Sequence, residues 1–216
     1  MLAGIFTALS NHRAVMFGLM LWLMACHPMA LPLQDAAQAP SIADDRLLVG
    51  DGTALPMRRW LPDGEPRAVL LALHGFNDYS HAFAYAGEYF SVRGVAVYAY
   101  DQRGFGANEQ TGLWPGRDNL TRDVVHAMQA IKQAHPETPL FVVGESMGGA
   151  VLIAACAEYG CEEAEGLILA APALWGEDFV SRLSQTGLWV LAHTIPSSMW
   201  TARIWRSPPP ISSDFV

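Results

Sequence analysis

The run Gly144-Glu145-Ser146-Met147-Gly148-Gly149 constrains this chain more than any other stretch. It follows the apolar segment Leu140-Phe141-Val142-Val143 and precedes Ala150-Val151-Leu152-Ile153-Ala154-Ala155, which reads as a buried helix. A G-x-S-x-G pattern between a strand and a helix predicts a sharp turn that aims the serine oxygen out at the end of a sheet. Gly144 and Gly148 stand two residues to either side of the serine, where a Cβ would obstruct so tight a reversal. The helix that begins there directs its N-terminal dipole at the serine, which favours negative charge developing beside it.

The remaining pattern supplies a frame for such a turn. Residues 68–73, 95–100, 140–143 and 166–171 are short apolar runs, as strands buried on both faces require. Between them, 81–92, 121–134 and 149–159 read as helices. Val124, Val125, Met128 and Ile131 recur at helical spacing, and Gly94, Pro136 and Pro139 mark stops. Residues 46–49 and 57–61, separated by Gly50-Asp51-Gly52, read as a hairpin ahead of these units. Strands alternating with helices predict an α/β fold, with a mostly parallel sheet covered on both faces and a site at the carboxyl ends of its strands. Three segments fall at those ends: His74-Gly75-Phe76, Asp101-Gln102-Arg103-Gly104 and the serine turn.

Residues 1–26 read as an export signal. Arg13 is the only Lys, Arg, Asp or Glu before Asp35, and 14–25 is an uncharged run too short to span a bilayer but right for a secretory core. Leu23-Met24-Ala25-Cys26 resembles a bacterial lipobox. That resemblance implies lipidation at Cys26 and a lipoprotein of the cell envelope, anchored to a membrane and facing the periplasm or exterior. A simple cleaved signal and an uncleaved anchor are the other two readings. Residues 27–44, with Pro28, Pro32 and Pro40 and no hydrophobic period, read as a linker. The core domain is expected over 45–174.

A net charge of −8 with no basic stripe argues against nucleic acid as a partner. There is no cysteine–histidine spacing of a zinc site. Cys156 and Cys161 either pair in an oxidising compartment or stand as two small, half-buried thiols, and the thiol reading is preferred.

Leu73-His74-Gly75-Phe76-Asn77-Asp78, Asp101-Gln102-Arg103-Gly104-Phe105-Gly106 and the serine turn occur in that order. Together they resemble the α/β-hydrolase superfamily and, within it, the monoacylglycerol lipase and lysophospholipase group, also called serine aminopeptidase-like hydrolases. The resemblance spans residues 45–216. It implies Ser146 as nucleophile, an oxyanion hole made by the backbone N–H groups of Phe76 and Met147, and loop-shaping roles for His74, Gly75, Gly144 and Gly148. Asp101, Arg103, Asp78 and Glu145 are expected to stabilise loops. The implied substrate is a carboxylic ester, with lysophospholipid or monoacylglycerol favoured, cleaved through an acyl-enzyme without cofactor or metal. The membrane surface is the implied place of work, and 175–216, with Trp175, Trp189, Trp200 and Trp205, is the implied start of a helical cap. A peptidase or small-ester esterase of the same fold is an alternative. So is a non-catalytic lipid-binding or interaction protein that has lost its triad.

The group orders its triad serine, acid, histidine, with the last two far along the chain. Only 70 residues follow Ser146, and His193 is the one histidine among them. His193 as base, or Glu177, Asp178 or Asp214 as acid, fits this order poorly. Residues 166–171 would also leave an apolar edge strand, an aggregation hazard. The expectation is an N-terminal portion of a longer hydrolase, with little or no turnover by itself.

Overall fold

The computed structural model describes residues 31–174 and 181–194. One sheet organises them: β1 (Ser41–Ala43), β2 (Arg46–Leu48), β3 (Ala54–Trp60), β4 (Ala68–Leu73), β5 (Val95–Tyr100), β6 (Leu140–Glu145) and β7 (Gly166–Ala170), in the order β1-β2-β3-β5-β4-β6-β7. β5, β4, β6 and β7 run parallel, and β1, β2 and β3 add an antiparallel flank through the β3–β5 pairing. The parallel half and its α/β class match the sequence expectation.

The strand pleat sorts side chains to two faces. Val69, Leu71 and Leu73 of β4, with Leu140 and Val142 of β6, join one core with Val124, Met128 and Ile131 of α2 (Arg117–Ala134) and Val151, Leu152 and Ala155 of α3 (Met147–Tyr159). On the opposite face, a 3₁₀ turn (Ser80–Phe83) leads into α1 (Ala84–Ser91), which packs through Gly87 onto Trp60. A Cβ at Gly87 would sit 2.6 Å from the indole Cγ and Cε3, so only glycine fits there. α4 (Arg182–Thr194) lies within the stretch expected to begin a cap.

Register sets the strand ends level. Ala72 pairs with Ala99 and Leu73 with Gly144, so the segments after β4, β5 and β6 emerge side by side at one edge. This places His74, Asp101 and Ser146 in one row.

Several sequence expectations shift. The domain does not begin at 45: Ser41–Ala43 pairs with β2, and the Ala37 and Gln38 N–H groups both donate to Gly50 O. Leu31 also bonds Trp114 O, so the described part of the expected linker lies on the domain. Three residues around one apolar Ile42 are too few to show a period in sequence. α2 starts four residues early, after Gly116, because buried Asn119 and Thr121 mask its apolar stripe. α3 starts at Met147 rather than Gly149, since Gly148 and Gly149 serve close approach instead of ending the turn. Cys156 and Cys161 form a disulfide, against the thiol reading: Gly160 at φ 79° ends α3 and folds the chain back until the two Cα atoms lie 5.0 Å apart. Cys26, Glu177, Asp178 and Asp214 lie outside the described residues, as do Trp175, Trp200 and Trp205.

Candidate active site

Ser146 sits between β6 and α3 with φ 49° and ψ −112°, in a region that residues with a Cβ rarely occupy. Backbone bonds over-determine it. Ser146 N–H donates to Ala170 O at the end of β7, and Ser146 O accepts from Ala150 at 3.2 Å and Ala173 at 2.9 Å. The neighbouring glycines permit the turn by close approach rather than by positive φ. A Cβ on Gly144 would fall 2.6 Å from Gly148 O, and one on Gly148 would collide with Leu73 O and lie 2.8 Å from His74 O. The serine turn is thus wedged against the end of β4.

The His74-Gly75-Phe76 turn occupies that end. A Cβ built on Gly75 would touch the Ser146 Cβ at 3.5 Å, so the two turns lie close together with room for little more than a methyl group between them. Phe76 is 60% exposed, and its ring meets Phe105 edge-on at a centroid distance of 5.5 Å. Asn77, at φ 59°, completes the reversal. The Phe76 N–H donates to no acceptor among the described residues. Met147 opens α3, so its N–H has no acceptor inside the helix. Neither N–H thus has a backbone acceptor among the described residues.

His74 is fully buried, and backbone atoms engage both of its ring nitrogens. Gln102 N–H donates to Nε2 at 2.9 Å, and Nδ1 lies 2.8 Å from Gly75 O. An amide N–H can only donate, so Nε2 accepts and Nδ1 holds the proton. Burial lowers the His74 pKa below its ordinary value and keeps the ring neutral. Neither nitrogen is left for Ser146.

Asp101 braces the next loop. Its Oδ1 accepts from Ser80 N–H and its Oδ2 from Ala107 N–H, both at 2.8 Å, and Gly106 leaves room for the carboxylate. Arg103 points the other way, into a buried ion network. Its Nε and Nη2 reach the two Asp123 carboxylate oxygens at 3.0 and 2.8 Å, and Nη1 reaches Asp51 at 2.9 Å and Thr53 Oγ1 at 3.0 Å. Burial pushes the Asp123 carboxyl up to about 6 against the pull of Arg103. At Asp51, burial raises the pKa, but hydrogen bonds from Arg103 and Thr53 outweigh it and hold the carboxyl below its ordinary value. The network ties the β2–β3 turn, the loop after β5 and α2 together. Asp78 accepts from Tyr79 N–H, and Glu145 is exposed.

This serine turn, beside an H-G turn at the ends of parallel strands, is matched by known proteins. Residues 64–210 match the family described as "Serine aminopeptidase, S33". The chain belongs to that family, within the α/β-hydrolase superfamily. Over 146 residues it is 29% identical to the monoglyceride lipase of Rattus norvegicus, covering 67% of this chain and 45% of that protein. It is 30% identical to the monoacylglycerol lipase of Mycolicibacterium smegmatis over 129 residues, covering 56% of this chain and 44% of that one. The chain thus spans about half the length of these relatives. Among solved structures, a lipase in its open form superposes with a TM-score of 0.56 at 22% identity, over 72% of this chain and 52% of the lipase. That likeness shows the shared fold.

The fold brings Ser146, Met147, Phe76, His74, Gly75, Gly144 and Gly148 together. Among the described side chains, no histidine is hydrogen-bonded to Ser146. His193 falls in α4, but its side chain lies outside the described residues. Sequence reasoning assigned no part to Gln102 or to Asn108, whose Nδ2 binds the carbonyls of Asp101, Gln102 and Phe105 at 2.9, 3.0 and 2.6 Å. An Asn in a glycine-rich turn was the available signal.

Proposed function

We propose that this chain is a serine-dependent hydrolase of carboxylic esters, with lipids of the monoacylglycerol or lysophospholipid kind as substrates. One observation carries the reading: Ser146 stands at φ 49° on a turn whose Gly148 is wedged against the Leu73 and His74 carbonyls, and the N–H groups of Phe76 and Met147 are read as its oxyanion donors. The Ser146 oxygen attacks the ester carbonyl as its proton passes to a base, and the carbonyl oxygen becomes an oxyanion. The two N–H groups stabilise that oxyanion, as donors aimed at developing charge do. The alcohol then leaves with a proton, and water releases the acid from the acyl-enzyme. This chemistry needs no metal or cofactor.

The monoglyceride lipase relatives support the substrate class. The described residues supply the nucleophile and oxyanion half of the site. With no base on Ser146 among them, turnover by this chain alone is expected to be slight. Exposed Trp189 and Leu183 of α4 suit an acyl chain or lipid surface. We further propose export to the cell envelope with lipidation at Cys26, a placement that the Cys156–Cys161 disulfide supports. The family's aminopeptidase description favours a second reading, peptide-bond cleavage at the same serine.

The test is a substrate panel offered to the chain and to Ser146→Ala: monoacylglycerol, lysophosphatidylcholine, a short p-nitrophenyl ester and an aminoacyl p-nitroanilide. Ester cleavage that vanishes in Ser146→Ala supports the reading. Serine-dependent cleavage of the anilide alone makes this a peptidase. Lipid binding with neither serine-dependent cleavage nor a fluorophosphonate adduct on Ser146 makes it a binding protein.

A further inference from the structure

We propose that the Gln102 side chain is the positioning element of the oxyanion turn: it fixes the His74–Gly75 peptide group, on which the next peptide group, carrying the Phe76 N–H, hinges. This rests on the reading of that N–H as an oxyanion donor. Gln102 is fully buried and grips His74 twice. Its own N–H donates to the imidazole Nε2 at 2.9 Å, and its side-chain Nε2 donates to His74 O at 2.7 Å.

The first bond sets a tautomer. With Nε2 accepting, Nδ1–H donates to Gly75 O at 2.8 Å. Gly75 C=O and Phe76 N–H belong to one planar peptide group, so holding the carbonyl fixes the direction of the N–H on its far side. The second bond holds the preceding peptide group by its own carbonyl. His74 O is also among the atoms against which Gly148, behind the serine, is wedged. Gln102 thereby immobilises the peptide groups on both sides of Gly75, at the place where the two turns of the site meet.

A second observation separates positioning from ordinary packing. The Gln102 Oε1 is buried and has no hydrogen-bond partner among the described residues. A buried acceptor left without a donor disfavours the folded state. An apolar side chain of the same shape would avoid that penalty but would give up the donor on His74 O, so it is this donor arm that a glutamine supplies here.

The test is Gln102→Met in the full chain, a near-isosteric change that removes the side-chain donor and the orphaned oxygen and keeps the backbone N–H on His74 Nε2. Three quantities are read: the melting temperature, the ¹⁵N order parameters of the Gly75 and Phe76 amides, and the rate at which a fluorophosphonate labels Ser146. The expected result is a melting temperature that changes little, because the lost bond to His74 O is offset by removal of the orphaned oxygen. The Gly75 order parameter falls from the rigid range near 0.85 toward about 0.6, while distant amides stay as they were. Labelling slows roughly ten-fold, a fraction of what losing an oxyanion donor outright does. Gln102→Leu repeats the test should the methionine variant not fold. A Gly75 amide as rigid as in the parent overturns the proposal. So does a lower melting temperature with all amides loosened alike, which marks a structural role only. If the parent itself is not labelled, the Ser146 reading fails, and the order parameters still decide the role of Gln102.

Discussion

Gly148→Ala tests how closely the two turns of the site depend on each other. The added Cβ would collide with Leu73 O and lie 2.7 Å from Leu73 C and 2.8 Å from His74 O. All three are backbone atoms at the end of a central strand, so no side chain can swing aside. Reaching ordinary carbon contact at about 3.5 Å requires the start of α3 to retreat by more than half an ångström. Oxyanion donors work at about 2.7–3.1 Å, so this shift takes the Met147 N–H and the Ser146 oxygen away from the placement proposed for them beside the Phe76 N–H. Misplacement by about 1 Å costs about a hundred-fold in rate, so labelling of Ser146 by a fluorophosphonate should slow roughly ten- to a hundred-fold. Overpacking should also destabilise the fold by about 1–3 kcal/mol, read by urea denaturation. Gly187→Ala in α4 is the control. Nothing lies within 4 Å of its Cβ position, so it should leave labelling unchanged. A Gly148→Ala chain that labels and unfolds like the parent would show that the two turns do not depend on this close approach.

Other outcomes are equally specific. Arg103→Met leaves Asp51 and Asp123 buried without their cation, and should destabilise the fold by about 3–5 kcal/mol in urea denaturation. Gly87→Ala drives a Cβ into the Trp60 ring and should lower the denaturation midpoint, with loss of about 1–3 kcal/mol. Reducing Cys156–Cys161 opens a short loop and should cost about 2 kcal/mol by loop-closure entropy, measured as the shift in urea midpoint with dithiothreitol. Buried His74, with its lowered pKa, binds its proton less readily folded than unfolded, and His126 and His135 shift the same way. Their stabilisation is therefore complete above the unfolded value near 6.5 and is lost as pH falls below it. The slope is about 1.4 kcal/mol per pH unit for each proton. Asp123, raised to about 6, acts in the opposite sense between its unfolded value of 3.8 and 6, and softens the loss. Urea midpoints across about pH 5 to 8 should fall on the acid side, and a midpoint that rises instead contradicts the assignment.

What could be read from sequence follows from how local each signal is. The strands at 68–73 and 95–100 are legible to the residue because a strand buried on both faces is a bare apolar run bounded by charge or glycine. The serine turn is legible because its glycines, strand and helix are contiguous. The Asp51–Arg103–Asp123 network is not, since its members lie 52 and 20 residues apart and meet only through the β3–β5 pairing. Ser41–Ala43 hides because pairing with β2, rather than any period of its own, makes it a strand. The disulfide stayed open because two cysteines five residues apart pair only if the chain turns back between them, as it does at Gly160. Gln102 lay inside a quoted motif without a role, because its partner His74 is brought to it by the β4–β5 register.

The account rests on Ser146 as the nucleophile, and covalent labelling tests that most directly. The full chain is treated with a fluorophosphonate, digested and mapped by tandem mass spectrometry. Labelling is expected to be slow, confined to Ser146 and abolished in Ser146→Ala, because oxyanion donors and binding retain part of the rate even where no base is hydrogen-bonded to the serine. No adduct on Ser146 after prolonged exposure, or an adduct that persists in Ser146→Ala, would contradict it.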